Sequence, residues 1–373
     1  MTAPERAGAI LTVDLGVVAA NWRLLRDRLG GAECGAVIKA DAYGLGVEPV
    51  AKALWQAGCR TYFVASLDEG ATLRGILPQA DIFVLHGVAQ GEEAEMTANR
   101  LVPVLNSMDE IARWGAHARS SSAAPLPAAI MIDTGMSRLG LEPDEARGLA
   151  SDPSALDGIS LSCLMSHLIA AEERANPLTA RQLAEFNTLR RLFPPARASI
   201  CNSSAVFLGR DYALDLARPG AAIYGIAPMD GEQNPMGRVV ELKARILQVR
   251  EIDSPRTVGY GATHRANARI RVATVAAGYA DGYMRSLSNR GSGFIGGIRV
   301  RVVGRVSMDL ITLDVTGVPA QLARAGEYVE LIGPHHSPDD LAGEAGTIGY
   351  EILTSLGRRC HRTYIPSPLE GQG

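Results

Sequence analysis

The chain has 373 residues, 47% of them apolar and 21% charged, with a net charge of -3. That length exceeds what one compact core usually holds, so one large and one smaller domain are expected. The scattered Lys and Arg exclude a nucleic-acid or membrane-binding surface.

The five cysteines, Cys34, Cys59, Cys163, Cys201 and Cys360, are odd in number and far apart. They show no zinc-ligand spacing and no disulfide framework, so no metal site is expected and a reducing cytoplasm is. The start, "MTAPERAGAILTVDLG", lacks the basic opening and long apolar stretch of a secretory signal. No segment has the roughly 18 uncharged apolar residues of a membrane helix.

In chain order, "AILTVDL" reads as a strand and "GVVAANWRLLRDRLG" as a helix. From residue 34 to 225, short runs rich in Val, Ile and Leu alternate with amphipathic ones. The strand candidates are "CGAVIK", "TYFVAS", "DIFVLH", "LVPVLN", "AAIMID", "ISLSCLMSH", "RASICN" and "LDLARPG". They are continuously apolar, as parallel strands covered on both faces must be. Helical patterns such as "DEIARWGAHARS" and "LTARQLAEFNTLRRLF" lie between them. Eight such units predict an α/β fold built on a (β/α)8 barrel. "SSSAAP", Ser120 to Pro125, reads as a flexible surface loop. After about residue 236, "RVVELKARILQVREI", "RIRVATVAAG", "GIRVRVVGRVSMDLITLDV" and "EYVELIG" predict a second, all-β domain. The expected division is 11–235 and 236–373. The early strand falls outside the eight and is a candidate to pack with the β domain.

Chemistry in such a barrel sits at the C-terminal strand ends. Lys39, His86, Asp133, His167, Asn202, Ser203, Ser204, Arg218 and Gly220 stand there, with Arg138 in the loop after Asp133. Each alone has a plain structural explanation. Lys39 could be salt-bridged at the rim, and His167 could be a hydrogen-bonded core histidine. Arg218 could pair with Asp215 or Asp211, and "NSS" is a common helix cap. Jointly they read differently. Hydroxyls and backbone amides near a glycine suit a phosphate. A lysine able to bind an aldehyde, facing that site and an arginine, suggests pyridoxal phosphate.

The motifs "AVIKADAYGLG", "IDTGMSRLG", "LMSHL", "CNSSA", "ARPGAAIYGIAP", "VGYGATH", "AAGYADGY" and "VGRVSMD" occur in this order. On them the chain resembles the alanine racemases, pyridoxal-phosphate enzymes of fold type III, from about Leu11 to Tyr364. The resemblance implies that Lys39 holds the cofactor and is one acid/base catalyst, with Tyr260 the second. It implies phosphate contacts from Tyr43, Ser203, the backbone near Gly220 and Ala221, and the Tyr224 hydroxyl, with Asn202 beside them. Arg218 would meet the pyridine nitrogen, supported by His167. Arg138, Met308, Asp309 and Tyr279 would surround the substrate, L- or D-alanine. It further implies a head-to-tail homodimer, with β-domain residues reaching the partner's site.

Two departures stand out. Many family members carry a carbamylated lysine where this chain has Met131, so the negative partner of Arg138 is left open, chloride being one candidate. Some carry a phosphate-binding tyrosine near the C-terminus, and an ungapped match from "GYEI" puts Arg358 there. A serine or broad-specificity racemase on the same scaffold is the alternative enzyme, and a pyridoxal-phosphate carrier the alternative outside enzymes. D-alanine supply for peptidoglycan and alanine catabolism both fit.

Overall fold

The computed structural model describes residues 6–121 and 124–366. Seven parallel strands run in one curled sheet: Ala36–Val37, Thr61–Val64, Asp81–Val84, Val102–Leu105, Leu126–Met131, Ile159–Met165 and Arg197–Ser199. The eighth, Leu216–Ala217, pairs in parallel with Glu33–Cys34. On its other side Asp215 N donates to Ala198 O at 3.1 Å and Arg218 N to Cys201 O at 2.8 Å. Those bonds join the last strand to both the first and the seventh, and close the ring. Thr61–Val64 is buried at every position, as a strand between barrel interior and helices must be.

All eight apolar runs form strands where the sequence places them, but their connections depart from expectation. Between Arg197–Ser199 and Leu216–Ala217 the chain makes two short 3₁₀ turns, Ala205–Phe207 and Arg210–Tyr212, instead of a helix. The helix Leu15–Arg28, ahead of the first barrel strand, packs there and against the turn Ala221–Tyr224. Ser120 and Ser121, expected in a loop, end the helix Met108–Ser121. The rest of that loop includes 122–123, which lie outside the described residues.

A second, mostly antiparallel sheet has the order Ile270–Val275, Ile311–Asp314, Ile298–Val302, Ser292–Ile295, Tyr328–Ile332, Val240–Ile252, Ala9–Asp14, His361–Ile365. Val240–Ile252 also pairs with Ile270–Val275, which curls this sheet too into a barrel. Ala9–Asp14 alternates buried and half-buried residues and lies antiparallel to Val240–Ile252 and parallel to His361–Ile365. The region is not all-β. Helices Pro338–Ala345 and Gly349–Ser355 interrupt it, the first started by a Ser337 capping box. Among the described residues no helix is long and apolar enough to cross a membrane.

The sequence pattern does not show one local feature that decides where the site's side chains stand. Ala40, Asp41, Ala42 and Tyr43 all have φ near +54° to +55°. That is one turn of left-handed helix built from residues with side chains, at a cost of about 1–2 kcal/mol each. Tertiary contacts hold it. Gly44 continues it at φ 82°, the Asp41 carboxylate accepts from Val47 N at 2.7 Å, and Arg362 donates to Gly44 O. Tyr364 adds a bond to Leu45 O at 3.0 Å. A Cβ at Gly44 would sit 2.5 Å from Leu353 O. Gly44→Ala should therefore lower the urea-unfolding free energy by more than about 1 kcal/mol, read from the midpoint at unchanged slope.

Candidate active site

The C-terminal ends of the barrel strands enclose a cavity of about 790 Å³. Of the strand-end residues, Lys39, His86, Asp133, His167, Asn202, Ser203, Ser204, Arg218 and Gly220 all line it, and so do Tyr43, Met131, Arg138 and Ala221. Parallel strands of matched register bring them there, because each strand stops at the same level of the barrel.

Arg218 is buried at 5% exposure, and among the described residues it has no ion pair. Asp215, one of its two alternative partners, instead accepts from Ala198 N at 2.8 Å. Arg218 donates to the Ser199 hydroxyl and, at 2.6 Å, to Ser166 O. Burial draws its pKa down to about 10, so it stays cationic at neutral pH. Lys39 is half-buried and likewise has no salt bridge among the described residues. Burial and then the Arg138 charge lower its pKa, with Glu69 opposing. His167 feels burial first, then Arg218, Arg138 and Lys39, and falls to about 3. It is a neutral imidazole in a cationic setting. Gln182, on the helix Pro177–Arg190, steadies this stretch by donating to His167 O at 2.9 Å and accepting from Ile169 N at 3.0 Å.

The opposite wall is made of small groups. The Ser203 hydroxyl accepts from Gly220 N at 2.9 Å and Ala222 N at 3.2 Å. A Cβ at Gly220 would come within 2.4 Å of the Tyr43 hydroxyl, so only glycine leaves this corner open. Tyr224 differs from expectation. It is fully buried, does not line the cavity, and donates to Val37 O at 2.9 Å while its ring packs 4.7 Å from that of Tyr43. Its role is to support Tyr43 and the first strand. Asn202 and Asp133 hold their loops: Asn202 accepts from Ala205 N, and Asp133 from Gly135 N and Met136 N.

Arg358 is not in the cavity wall; Tyr350 is, its ring 6.3 Å from Tyr43. It was visible in the "GYEI" segment, as a tyrosine eight residues before Arg358. Tyr260, Tyr279, Met308 and Asp309 do not line this cavity either. They lie in the β domain, where Tyr260 is 70%, Met308 53% and Tyr279 43% exposed in the single chain. Asp309 is held by Arg359 at 2.6 Å, and Arg359 also grips Asp281 at 3.0 Å. Tyr279 N and Ala280 N donate to Ser307 O and Met308 O, which joins the "GYADG" and "SMD" loops backbone to backbone.

The family description "Alanine racemase, N-terminal domain" matches residues 13–228, and "Alanine racemase, C-terminal domain" matches residues 239–364. An alanine racemase of Rhodospirillum rubrum is 51% identical over 96% of this chain and 96% of its own length. A catabolic alanine racemase of Mesorhizobium japonicum is 48% identical over 96% and 94%. The crystal structure of alanine racemase from Bartonella henselae with covalently bound pyridoxal phosphate superposes with a TM-score of 0.93. It is 39% identical and covers 96% of this chain and all of its own.

His167 makes the pH dependence of stability testable. Its pKa is about 3 folded against an ordinary 6.5, so between those values only the unfolded chain binds the proton. Stability should then fall as pH drops from 6.5 toward 3, by at most about 1.4 kcal/mol per pH unit from this group. His167→Gln should flatten that part of a urea-midpoint-versus-pH curve, and an unflattened curve would remove His167 as its cause.

Proposed function

Because the chain belongs to the alanine racemase family, we propose that it interconverts L- and D-alanine with pyridoxal phosphate, in a site shared between two copies of the chain. The observation that carries this reading is the cavity itself, where Lys39, Arg138 and Arg218 stand together with no ion pair among the described residues. Such a set needs an anionic ligand.

The donor set fits the cofactor. The Tyr43 and Ser203 hydroxyls and the open corner at Gly220 suit a phosphate, with Ala221 and Tyr350 beside them. The unpaired, buried Arg218 suits a ring nitrogen, and Lys39 suits the aldehyde. When bound, pyridoxal phosphate draws electron density from the substrate and makes its Cα proton acidic.

The chain's residues then move that proton. Arg218, which does not give up its own proton, would hold the ring nitrogen as a hydrogen-bond donor and keep it unprotonated. Arg138 orients the substrate carboxylate. Lys39 Nζ serves one face of Cα, and its lowered pKa makes it a better base at neutral pH. Tyr260 Oη of the partner copy serves the other. D-alanine loses its proton to Lys39, and L-alanine to Tyr260. Met308, Asp309 and Tyr279 of the partner close the substrate side. Exposure of Tyr260, Met308 and Tyr279 on one chain favours this shared arrangement, since large apolar side chains clustered on a surface mark an interface. The reading takes the chain as two domains divided near residue 235, working in the cytoplasm. Its five cysteines, all free thiols, suit a reducing compartment.

Borohydride treatment of the holoenzyme should leave the pyridoxyl group on the peptide containing Lys39, read by mass spectrometry. A label on Lys52 or Lys243 would sink the assignment.

Sharing is tested by complementation. Lys39→Ala and Tyr260→Phe homodimers should each lose about 10²–10⁴-fold in kcat, the range of one proton carrier. Mixed under subunit exchange, the two variants should recover about one quarter of wild-type activity. A random mixture is half heterodimer, and each heterodimer has one intact site of two. Gel filtration confirms that the protein is dimeric and native mass spectrometry that heterodimers have formed, and no recovery despite them would place both residues in one chain's site.

A further inference from the structure

We infer that Glu69 is a positioning residue for Lys39: its carboxylate ties the backbone amide next to Lys39 to the end of the neighbouring barrel strand, and so sets where the lysine Nζ stands. The inference rests on the reading that Lys39 carries a proton. The Glu69 Oε1 accepts from Ala40 N at 2.7 Å and Oε2 from Ala65 N at 2.7 Å. Each oxygen thus serves one strand end, and both Ala40 and Ala65 line the cavity. Bonds of that length to an ionised acceptor are of the strong class.

Glu69 is itself well anchored. It lies in the first turn of the helix Leu67–Ile76, where its own N–H is held by the Ser66 side chain. The side chain reaches back past the helix start to the strand ends, so the helix acts as a fixed post.

The amide it holds is the one that most needs holding. Ala40 is the first of the four left-handed residues after Lys39. At the far end of the turn Arg362 and Tyr364 grip Gly44 O and Leu45 O. At the near end the bond to Glu69 is the one that a side chain makes to a backbone group of the turn among the described residues. Without it the strained turn can relax toward right-handed geometry, and Lys39 would turn with it. Glu69 forms no ion pair with Lys39, so it acts through the backbone and through space. Of the other nearby carboxylates, Asp41 is occupied by Val47 N and Asp133 by Gly135 N and Met136 N. The Glu69 charge also opposes the lowering of the Lys39 pKa by burial and Arg138.

Glu69→Gln keeps the length but replaces one acceptor with a donor that cannot face a backbone N–H. Glu69→Asp keeps the charge but is too short to bridge both amides. In the holoenzyme, each should lower turnover in both directions about tenfold, the scale of one lost charge-assisted hydrogen bond. The deciding readout is the Cα-deuterium isotope effect. The lysine step is slowed, so the effect should rise above wild type with deuterated D-alanine and fall with deuterated L-alanine. Melting temperature and cofactor content should stay near wild type. Lower activity with both isotope effects unchanged would reduce Glu69 to a purely structural part, and unchanged activity would overturn the inference outright. If Glu69→Gln does not fold, Glu69→Asp is judged by the same pair of effects. Full turnover by Lys39→Ala would instead defeat the underlying reading of Lys39, whatever the Glu69 variants do.

Discussion

Cationic side chains held together without ion pairs are the constraint from which the site's other properties follow. Lys39, Arg138 and Arg218 share one cavity, and none has an ion pair among the described residues. Bringing like charges together in a partly dry space is unfavourable. Burial lowers Lys39, Arg218 and His167, and cationic neighbours add to the lowering at two of them, Arg138 at Lys39 and Arg218, Arg138 and Lys39 at His167. Met131 adds an apolar side chain to the same cavity wall.

A charged cavity is useful only if its side chains keep their places, and the barrel achieves this by tying strand ends across one another. Gln182 reaches from a flanking helix to His167, and Tyr224 spends its hydroxyl on Val37 O. The sheet of the β domain contributes from outside the barrel. Its C-terminal strand, His361–Ile365, grips the left-handed turn through Arg362 and Tyr364. Its packing against Ala9–Asp14 therefore bears on a loop that is distant from it in the chain. The two sheets are coupled at the turn between Lys39 and Tyr43.

The β domain carries a second pre-set unit. Arg359 links Asp281 to Asp309, and the loops bearing Tyr279 and Met308 are bonded backbone to backbone. A Cβ at Gly278 would overlap Met308 O at 2.3 Å, so their close approach requires glycine. Tyr279 and Met308 are thus displayed on a shared support while remaining exposed in one chain, and Tyr260 is exposed as well.

The eight barrel strands were legible because each is buried on both faces, which writes a continuous apolar run into the chain, and polar residues at their C-terminal ends then mark the rim. The residues that joined the cavity through tertiary folding left weaker traces. Tyr350 sits in a short helix of the β domain and reaches the cavity only because that helix packs on the barrel. Glu69 looks like an ordinary acidic residue in a helix's first turn, and nothing local says that its carboxylate serves two strand ends. The 3₁₀ turns after Arg197–Ser199 replaced an expected helix because a connection's path depends on what already covers that side of the barrel. The left-handed turn was the least legible of all, since no local propensity favours it and contacts from residues 69, 362 and 364 supply its support. By itself the sequence determined which residues have the chemistry and which end of the barrel they occupy, because burial period and residue type are local properties. Only the tertiary structure decided how Lys39 is held and which groups surround it, because those depend on contacts between segments 29 to 319 residues apart.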